Sequence, residues 1–520
     1  MNSALLKKIR IGVSALFFIL FTFAYLDLSG FAVQKLSVYV TYLQFIPSIL
    51  KLLSIISIAA TGFIIVTVLT FLFGRVYCSS ICPMGTLQDI ISFFARKLNN
   101  KKYFRLNKEY KFLKYSLLAV TVISFFSGSL IIIDLLDPYS NTGKIFSNLF
   151  RPVLILVNNF IAFTFGKANI YFLYPIETNG FSIAAIGFSL IILGTIGIMS
   201  YMKGRLFCNT ICPVGTLLGL FSRYSMFKIS IDKGACISCN LCERVCKAGC
   251  IDKKNKLIYF ERCVSCFNCF EVCPKGGISY TTSIKQTGND TPVKIDNKKR
   301  EFISKTFLYA FGLTTISFGQ IKIIPKKLSK IQNLKKNTVS PPGSKSISHF
   351  AGKCTACHLC VSACPAQVLQ PSLWEYGFTG ILQPFMDYKV SYCNHDCLIC
   401  GQVCPTGAIL PLTIEQKKFI QIGKVNFIKD NCIVETEGTE CGACSEHCPT
   451  KAVQMVPYKN QHLPEIHTEY CVGCGACEFA CPVKPYKAIY VDGNPVHQTA
   501  KEKIEEKIKQ KVDLKSDFPF

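Results

Sequence analysis

Carboxylates are scarce in this 520-residue chain: 32 Asp and Glu stand against 58 Lys and Arg, a formal net charge of +26. Tryptophan occurs once. No nucleotide-binding loop, flavin fingerprint or Ser-His-Asp order stands out, and no haem attachment is expected, so substrate chemistry is left to a partner. What is abundant points elsewhere. Half of the residues are hydrophobic, which excludes a disordered or purely soluble chain. Residues 1–320 hold 35 basic and 14 acidic side chains, residues 321–520 hold 23 and 18. The basic half is also the apolar half, so the charge reads as positive-inside anchoring in lipid rather than a nucleic-acid footprint. Twenty-nine cysteines exclude an ordinary cytosolic enzyme. Their odd number and short regular clusters exclude a small disulfide scaffold.

Four runs are apolar over the roughly 20 residues that a bilayer requires: about 10–28, 51–73, 113–133 and 181–201. A fifth, 152–166, carries Asn158 and Asn159 and is read as interfacial or re-entrant, with a spanning helix as the alternative. Lys7, Lys8 and Arg10, and the basic loop 96–114, predict a cytoplasmic N-terminus; the acidic loop 134–180 then faces outward. The first run is long and lacks a small-residue cleavage site, so it is not expected to be a cleaved signal.

The apolar part contains a repeat. Gly74-Arg75-Val76-Tyr77-Cys78, followed by Cys82-Pro83 and Gly85-Thr86-Leu87, recurs as Gly204-Arg205-Leu206-Phe207-Cys208, Cys212-Pro213 and Gly215-Thr216-Leu217. On a helix, cysteines at i and i+4 share a face, and proline suits the first turn of the helix that follows. Cys78, Cys82, Cys208 and Cys212 therefore meet across a pseudo-symmetric pair as a thiol relay or a metal or cluster site, or else are buried small hydrophobes.

Six quartets account for 24 further cysteines. Cys236, Cys239, Cys242 and Cys246 follow C-x2-C-x2-C-x3-C, and Cys263, Cys266, Cys269 and Cys273 repeat it. This is the bacterial run for 4Fe–4S clusters, in which the fourth cysteine serves the other cluster. Cys236, Cys239, Cys242 and Cys273 are assigned to one cluster, and Cys263, Cys266, Cys269 and Cys246 to the other. Cys250 is left as a spare thiol or a substitute ligand. The second half adds Cys354, Cys357, Cys360 and Cys364; Cys393, Cys397, Cys400 and Cys404; Cys432, Cys441, Cys444 and Cys448; and Cys471, Cys474, Cys477 and Cys481. There the fourth cysteines belong either to adjacent motifs or to a first-with-fourth pairing around the middle two. Zinc ribbons use two separated knuckles rather than four cysteines in eleven residues. His358, His395 and His447 lie within these loops as non-ligands, since cysteine fills every ligand place.

Between the halves, Lys299-Arg300 precedes a short apolar stretch, 306–318. Segment 298–320 reads as a folded-export signal with Lys-Arg for Arg-Arg, or as a further helix. Residues 322–348 read as a tether, and 496–520 as a charged tail.

The first 280 residues resemble the NapH-type membrane subunit of the periplasmic nitrate reductase quinol dehydrogenase, on the evidence of four apolar runs, two Cys-x3-Cys-Pro motifs and a two-cluster ferredoxin. Residues 298–490 resemble its NapG/MauM-type partner, an exported four-cluster ferredoxin. The design is shared with regulators of nitrous oxide reduction and with oxidase-assembly iron–sulfur proteins. The resemblance implies six 4Fe–4S clusters that carry electrons from quinol or menaquinol in the membrane quinone pool to a periplasmic reductase or cytochrome. It places the chain in the inner membrane, with the first ferredoxin domain cytoplasmic and the second periplasmic. Asp134, Asp137 and Arg151 are candidate quinol-site residues at the outer face, against an ordinary Asp-Pro turn and an interfacial arginine. Two other functions stay open: an assembly or regulatory factor for another metalloenzyme, and a subunit of a ferredoxin:quinone complex. The expected fold is an α-helical membrane domain (1–225) with four spans and a possible fifth helix, an α+β ferredoxin-like domain (230–282), a linker (283–348) and a four-cluster ferredoxin-like domain (349–495).

Overall fold

A computed structural model describes residues 3–54, 61–98, 104–106, 109–177, 180–282, 331–333 and 335–502. The export-like segment 298–320 and most of the tail lie outside them. Up to residue 222 the described elements are all helices: α1 (Ser3–Leu26), α2 (Phe31–Tyr42), α3 (Phe45–Ser54), α4 (Gly62–Phe73), α5 (Val76–Ser80), α6 (Pro83–Leu98), α7 (Lys111–Phe126), α8 (Ile131–Leu136), α9 (Pro138–Ile145), α10 (Arg151–Lys167), α11 (Ile183–Lys203), α12 (Leu206–Thr210) and α13 (Pro213–Ser222).

Among the described residues three helices are long and apolar enough to cross a bilayer, Leu5–Leu26, Pro138–Lys167 and Ile183–Lys203; α2 and α3 form a fourth only as one span bent by 99°. Their outward faces present bare apolar side chains, among them Leu16, Phe23, Leu190, Ile191 and Ile198. In water each such side chain forgoes about 1.5–3 kcal/mol of burial, so these faces are suited to lipid. Buried threonines return their hydroxyls to carbonyls of the preceding turn, as Thr70 does to Val66 and Thr121 to Leu117, so these hydroxyls are satisfied within the helix.

The spans differ from the sequence expectation in three places. Residues 152–166 belong to a 30-residue helix that runs from Pro138 through a π turn at Phe146–Phe150. Asn158 and Asn159 are tolerated because both amides donate to loop carbonyls, of Tyr174 and Ile176. The run 113–133 breaks after Phe126, where Gly128 takes φ +81°, so α7 is only 16 residues long. The run 51–73 is split between α3 and α4.

The first α+β module follows directly. β1 (Phe227–Ile231) pairs antiparallel with β4 (Ile278–Thr282), and β2 (Ile251–Asp252) with β3 (Leu257–Ile258). The second module pairs β5 (Leu369–Pro371) with β6 (Pro384–Met386), β7 (Ile420–Phe427) with β10 (Ile489–Thr499), and β8 (Val453–Tyr458) with β9 (Gln461–Ile466), all antiparallel. Residues 335–348, expected as tether, pack onto it. Met386 N–H donates to Val339 O, and Leu410 N–H to Gly343 O; Val339, Ser340 and Ser344 are buried.

The two modules grip opposite ends of α1. At its N-terminal end Lys7 pairs with Glu271 of the first module. At its C-terminal end the Tyr25 hydroxyl donates to Cys357 O of the second, 3.1 Å.

Candidate functional site

Each ferredoxin quartet is made by three cysteines of one loop and the last cysteine of a neighbour. Cys236, Cys239 and Cys242 line one void with Cys273; Cys263, Cys266 and Cys269 line another with Cys246. Cys250 opens onto that second void, its sulfur 3.5 Å from Cys246 Sγ.

In the second module adjacent motifs exchange in the same way. Cys354, Cys357 and Cys360 lie in the field of Cys404, while Cys364 faces Cys393, Cys397 and Cys400. Cys448 joins Cys471, Cys474 and Cys477; Cys481 joins Cys432, Cys441 and Cys444 around an apolar void. The first-with-fourth arrangement does not form.

These sets suit a cube rather than an ion. Among the described residues no three Cys, His, Asp or Glu side chains close around a single metal ion; the thiols instead stand around apolar voids. Burial pushes the Cys444 and Cys474 thiols up to about 12, so without iron they hold their protons and iron must displace them.

Cys354-Thr355-Ala356-Cys357-His358 has the Cys-x-x-Cys-His letter pattern of haem attachment, which the sequence reading passed over. The structure gives those cysteines to a thiol quartet. Both His358 ring nitrogens are engaged, Nε2 with Leu382 O at 2.8 Å and Nδ1 with the Asn148 amide. Burial lowers its pKa to about 3, so the ring stays neutral. His395 is half-buried and His447 bonds to Ala443 O.

The repeat also assembles. α5 and α12 carry Cys78 and Cys208, and Cys82 and Cys212 sit just before Pro83 and Pro213, which open α6 and α13. All four thiols are buried and within one another's electrostatic reach. The two motifs cross: Arg75 donates to Cys208 O, and Arg205 to Cys78 O. The pair closes tightly because Gly85 and Gly215 lack a side chain; a Cβ at either would overlap the carbonyl of Cys78 or Cys208. Gly74 (φ +79°) and Gly204 (φ +68°) turn the chain against the first module, facing Phe260 and Lys247 O.

The outer-face candidates separate. The Asp137 carboxylate caps α9, accepting from Ser140 N–H and Oγ. Asp134 is fully enclosed beside the Gln383 side chain, and the buried Lys144 ammonium donates to its backbone carbonyl. Only Arg151 lines an open cleft. That cleft runs between Asp27–Gly30 in the α1–α2 turn, Gln34 of α2 and Arg151 of α10 on one side and Ser362–Pro365 of the second module, Cys364 included, on the other. Arg151 donates to Asp27 O at 2.8 Å. Sequence reasoning missed Asp27, whose signal was a lone carboxylate at the end of the first apolar run.

Three family models match. One described as "4Fe-4S binding domain" covers residues 58–101 and 185–232, the segments holding the two Cys-x3-Cys-Pro motifs. Two described as "4Fe-4S dicluster domain" cover 353–409 and 439–484. The segment 353–409 holds one complete pair of exchanging motifs, and 439–484 holds the other pair except Cys432. Among similar proteins, an uncharacterised protein of Methanocaldococcus jannaschii is 26% identical over 43% of this chain and 71% of its own length. The methylamine utilization ferredoxin-type protein MauM of Methylophilus methylotrophus is 26% identical over 34% of this chain and 78% of its own. The ferredoxin-type protein NapG of Escherichia coli is 26% identical over 35% and 79%. No solved structure matches. These similarities support a ferredoxin-type, iron–sulfur electron-transfer function.

Proposed function

We propose that the chain is a membrane-bound electron conduit that oxidises quinol at the outer end of its helices and passes the electrons through 4Fe–4S clusters to a periplasmic redox partner. On this reading all 24 quartet cysteines are iron ligands and the clusters number six. When bound, the clusters supply one-electron carriers whose potentials follow hydrogen bonding and exposure.

The observation that carries the reading is the cleft between Arg151 and Cys364. It abuts the α1–α2 turn and the first residue of α10 and touches a cysteine of the Cys364/Cys393/Cys397/Cys400 quartet. A quinol headgroup there gives up two electrons, one at a time, and two protons. Arg151 orients a headgroup oxygen, and Asp27 is the cleft's carboxylate. Asp134 and Asp137 take no part in binding; they fix the α8–α10 frame that carries Arg151.

The test uses the full chain in bilayer nanodiscs. A reduced menaquinone analogue reduces the clusters, followed by optical bleaching and electron paramagnetic resonance. The double variant Asp27→Asn/Arg151→Gln slows this about tenfold or more while dithionite still reduces every cluster. Clusters that dithionite reduces but quinol never does would contradict the proposal.

A further inference from the structure

A buried lysine stands against the thiols of the second module. The short helix Ile414–Phe419 that carries it is fixed at its start by a capping box. Thr413 Oγ1 accepts from Gln416 N–H at 3.2 Å, and the Gln416 side chain accepts from Thr413 N–H at 3.1 Å. At its end the chain runs straight into β7. There Phe419 O accepts from Ala500 N–H, and the Gln421 amide donates to Thr468 O and Cys471 O. Lys418 turns outward, its side chain 43% exposed, and pairs with Asp396 at 3.2 Å. Lys417 turns inward: it is 4% exposed, and its Nζ donates to Cys393 Sγ at 3.5 Å.

Lys417 has no carboxylate partner among the described residues. A buried ammonium without a counter-charge is costly. The sulfurs around it can supply one, because Lys417 lies in the field of both Cys393 and Cys400. Four thiolates leave an iron–sulfur cube net negative, and reduction adds one more negative charge. A fixed cation bonded to a ligand sulfur therefore favours the reduced form, and donors to the ligands set the potential of such a centre. The exchanging quartet has a neutral donor instead: Cys354 Sγ accepts from the backbone N–H of Ala356 at 3.4 Å. The position fits the cleft as well. Cys393 shares its quartet with Cys364, which lines the cleft beside Arg151. On its other side Cys393 N–H donates to Cys474 O at 3.0 Å, in the next quartet.

We infer that Lys417, acting through Cys393, raises the reduction potential of the Cys364/Cys393/Cys397/Cys400 centre and so makes it the first acceptor of electrons from the cleft. This rests on the readings that the quartets hold clusters and that the cleft takes quinol. Quinol gives one electron to that centre, and the second follows once the first has passed to the Cys471 quartet. Its two protons leave through the open cleft. Lys417 keeps its proton, and no bond forms or breaks at the sulfur.

The test is a redox titration of the full chain in nanodiscs, read by electron paramagnetic resonance. Cys404→Ser, which removes the exchanging centre, tells the two resonances of the pair apart. Lys417→Met lowers the equilibrium constant for reducing the Cys364 centre at least about tenfold, or about 59 mV for one electron, and moves the other centres far less. Lys417→Arg keeps the charge and restores most of the loss. A Lys417→Met centre that titrates as wild type overturns the inference, as does an equal shift in every centre. A second measurement needs no variant. In wild-type protein carrying nitrogen-15 at lysine Nζ, pulsed resonance of the reduced Cys364 centre shows a coupled nitrogen-15; no coupling also overturns the inference. If that quartet holds no iron even in wild type, the inference falls with the cluster reading, and iron analysis shows it. If the centre titrates normally but quinol never reduces it, the cleft reading fails, while the shift in potential still decides what Lys417 does.

Discussion

The two ferredoxin modules use one construction rule and meet the helices in opposite ways. Each pairs neighbouring motifs so that every fourth cysteine crosses over. The first module docks through charge and backbone: Arg205 and Lys247 share Asp89, and Met226 N–H, the Ser265 hydroxyl and the Tyr280 hydroxyl donate to carbonyls of Phe71 and Phe73. The second docks chiefly through neutral hydrogen bonds, from Tyr25 to Cys357 O, Ser54 to Thr406 O and Gln367 to Glu177 O. Exposure differs too. Cys239 of the first module is exposed, whereas Cys354, Cys357 and Cys360 are buried beneath the helices. The difference teaches that the same quartet stands either open to solvent or sealed against the helical domain, depending on what covers it.

The sharpest way to break the comparison is to test the crossing rule in the second module. Cys404→Ser should abolish the cluster built on Cys354, Cys357 and Cys360 and spare the one on Cys393, Cys397 and Cys400. Redox-poised electron paramagnetic resonance of the full chain reads this directly; loss of the other signal would show that the modules are built differently.

A smaller effect probes the seat of the first module. Gly85→Ala and Gly215→Ala each drive a Cβ into a backbone carbonyl, and overpacking of that kind costs about 1–3 kcal/mol or more. Both should lower the thermal midpoint in detergent. Gly194→Ala, in open space on α11, should leave it unchanged or raise it slightly. Equal behaviour of the three would remove the claim that the repeat is closely packed.

The smallest effect separates the modules by pH. All seven histidines lie beyond residue 348, so only the second module can respond through histidine. Burial lowers His497 from its ordinary 6.5 to about 4; its Nε2 bonds Ser340 Oγ and its Nδ1 has no partner. Unfolded chain then takes up a proton that the folded chain refuses. The contribution is fully present above pH 6.5 and is lost as pH falls from about 6.5 to 4. His497→Gln should flatten that part of the stability profile of the second module. A profile identical to wild type would contradict the assignment.

Much of this was legible because thiol spacing is local. Three cysteines at intervals of three residues fix a loop, and Pro83 and Pro213 mark helix starts in the sequence itself. The crossing of Cys404 and Cys448 was not legible, because more than twenty residues of intervening chain leave the partner to tertiary packing. The 138–167 helix was obscured for a similar reason. Asn158 and Asn159 look incompatible with an apolar span until the carbonyls that satisfy them, some sixteen residues onward, are in place. The cleft residue Asp27 carried no motif and became visible only when the Cys364 loop closed over it.

The central claim is that the two modules lie on opposite sides of a membrane. Reporters active only in the cytoplasm or only in the periplasm, fused after residue 290 and separately after residue 490, test it most directly. The account predicts cytoplasmic activity at 290 and periplasmic activity at 490. Both fusions reporting the same compartment would contradict it.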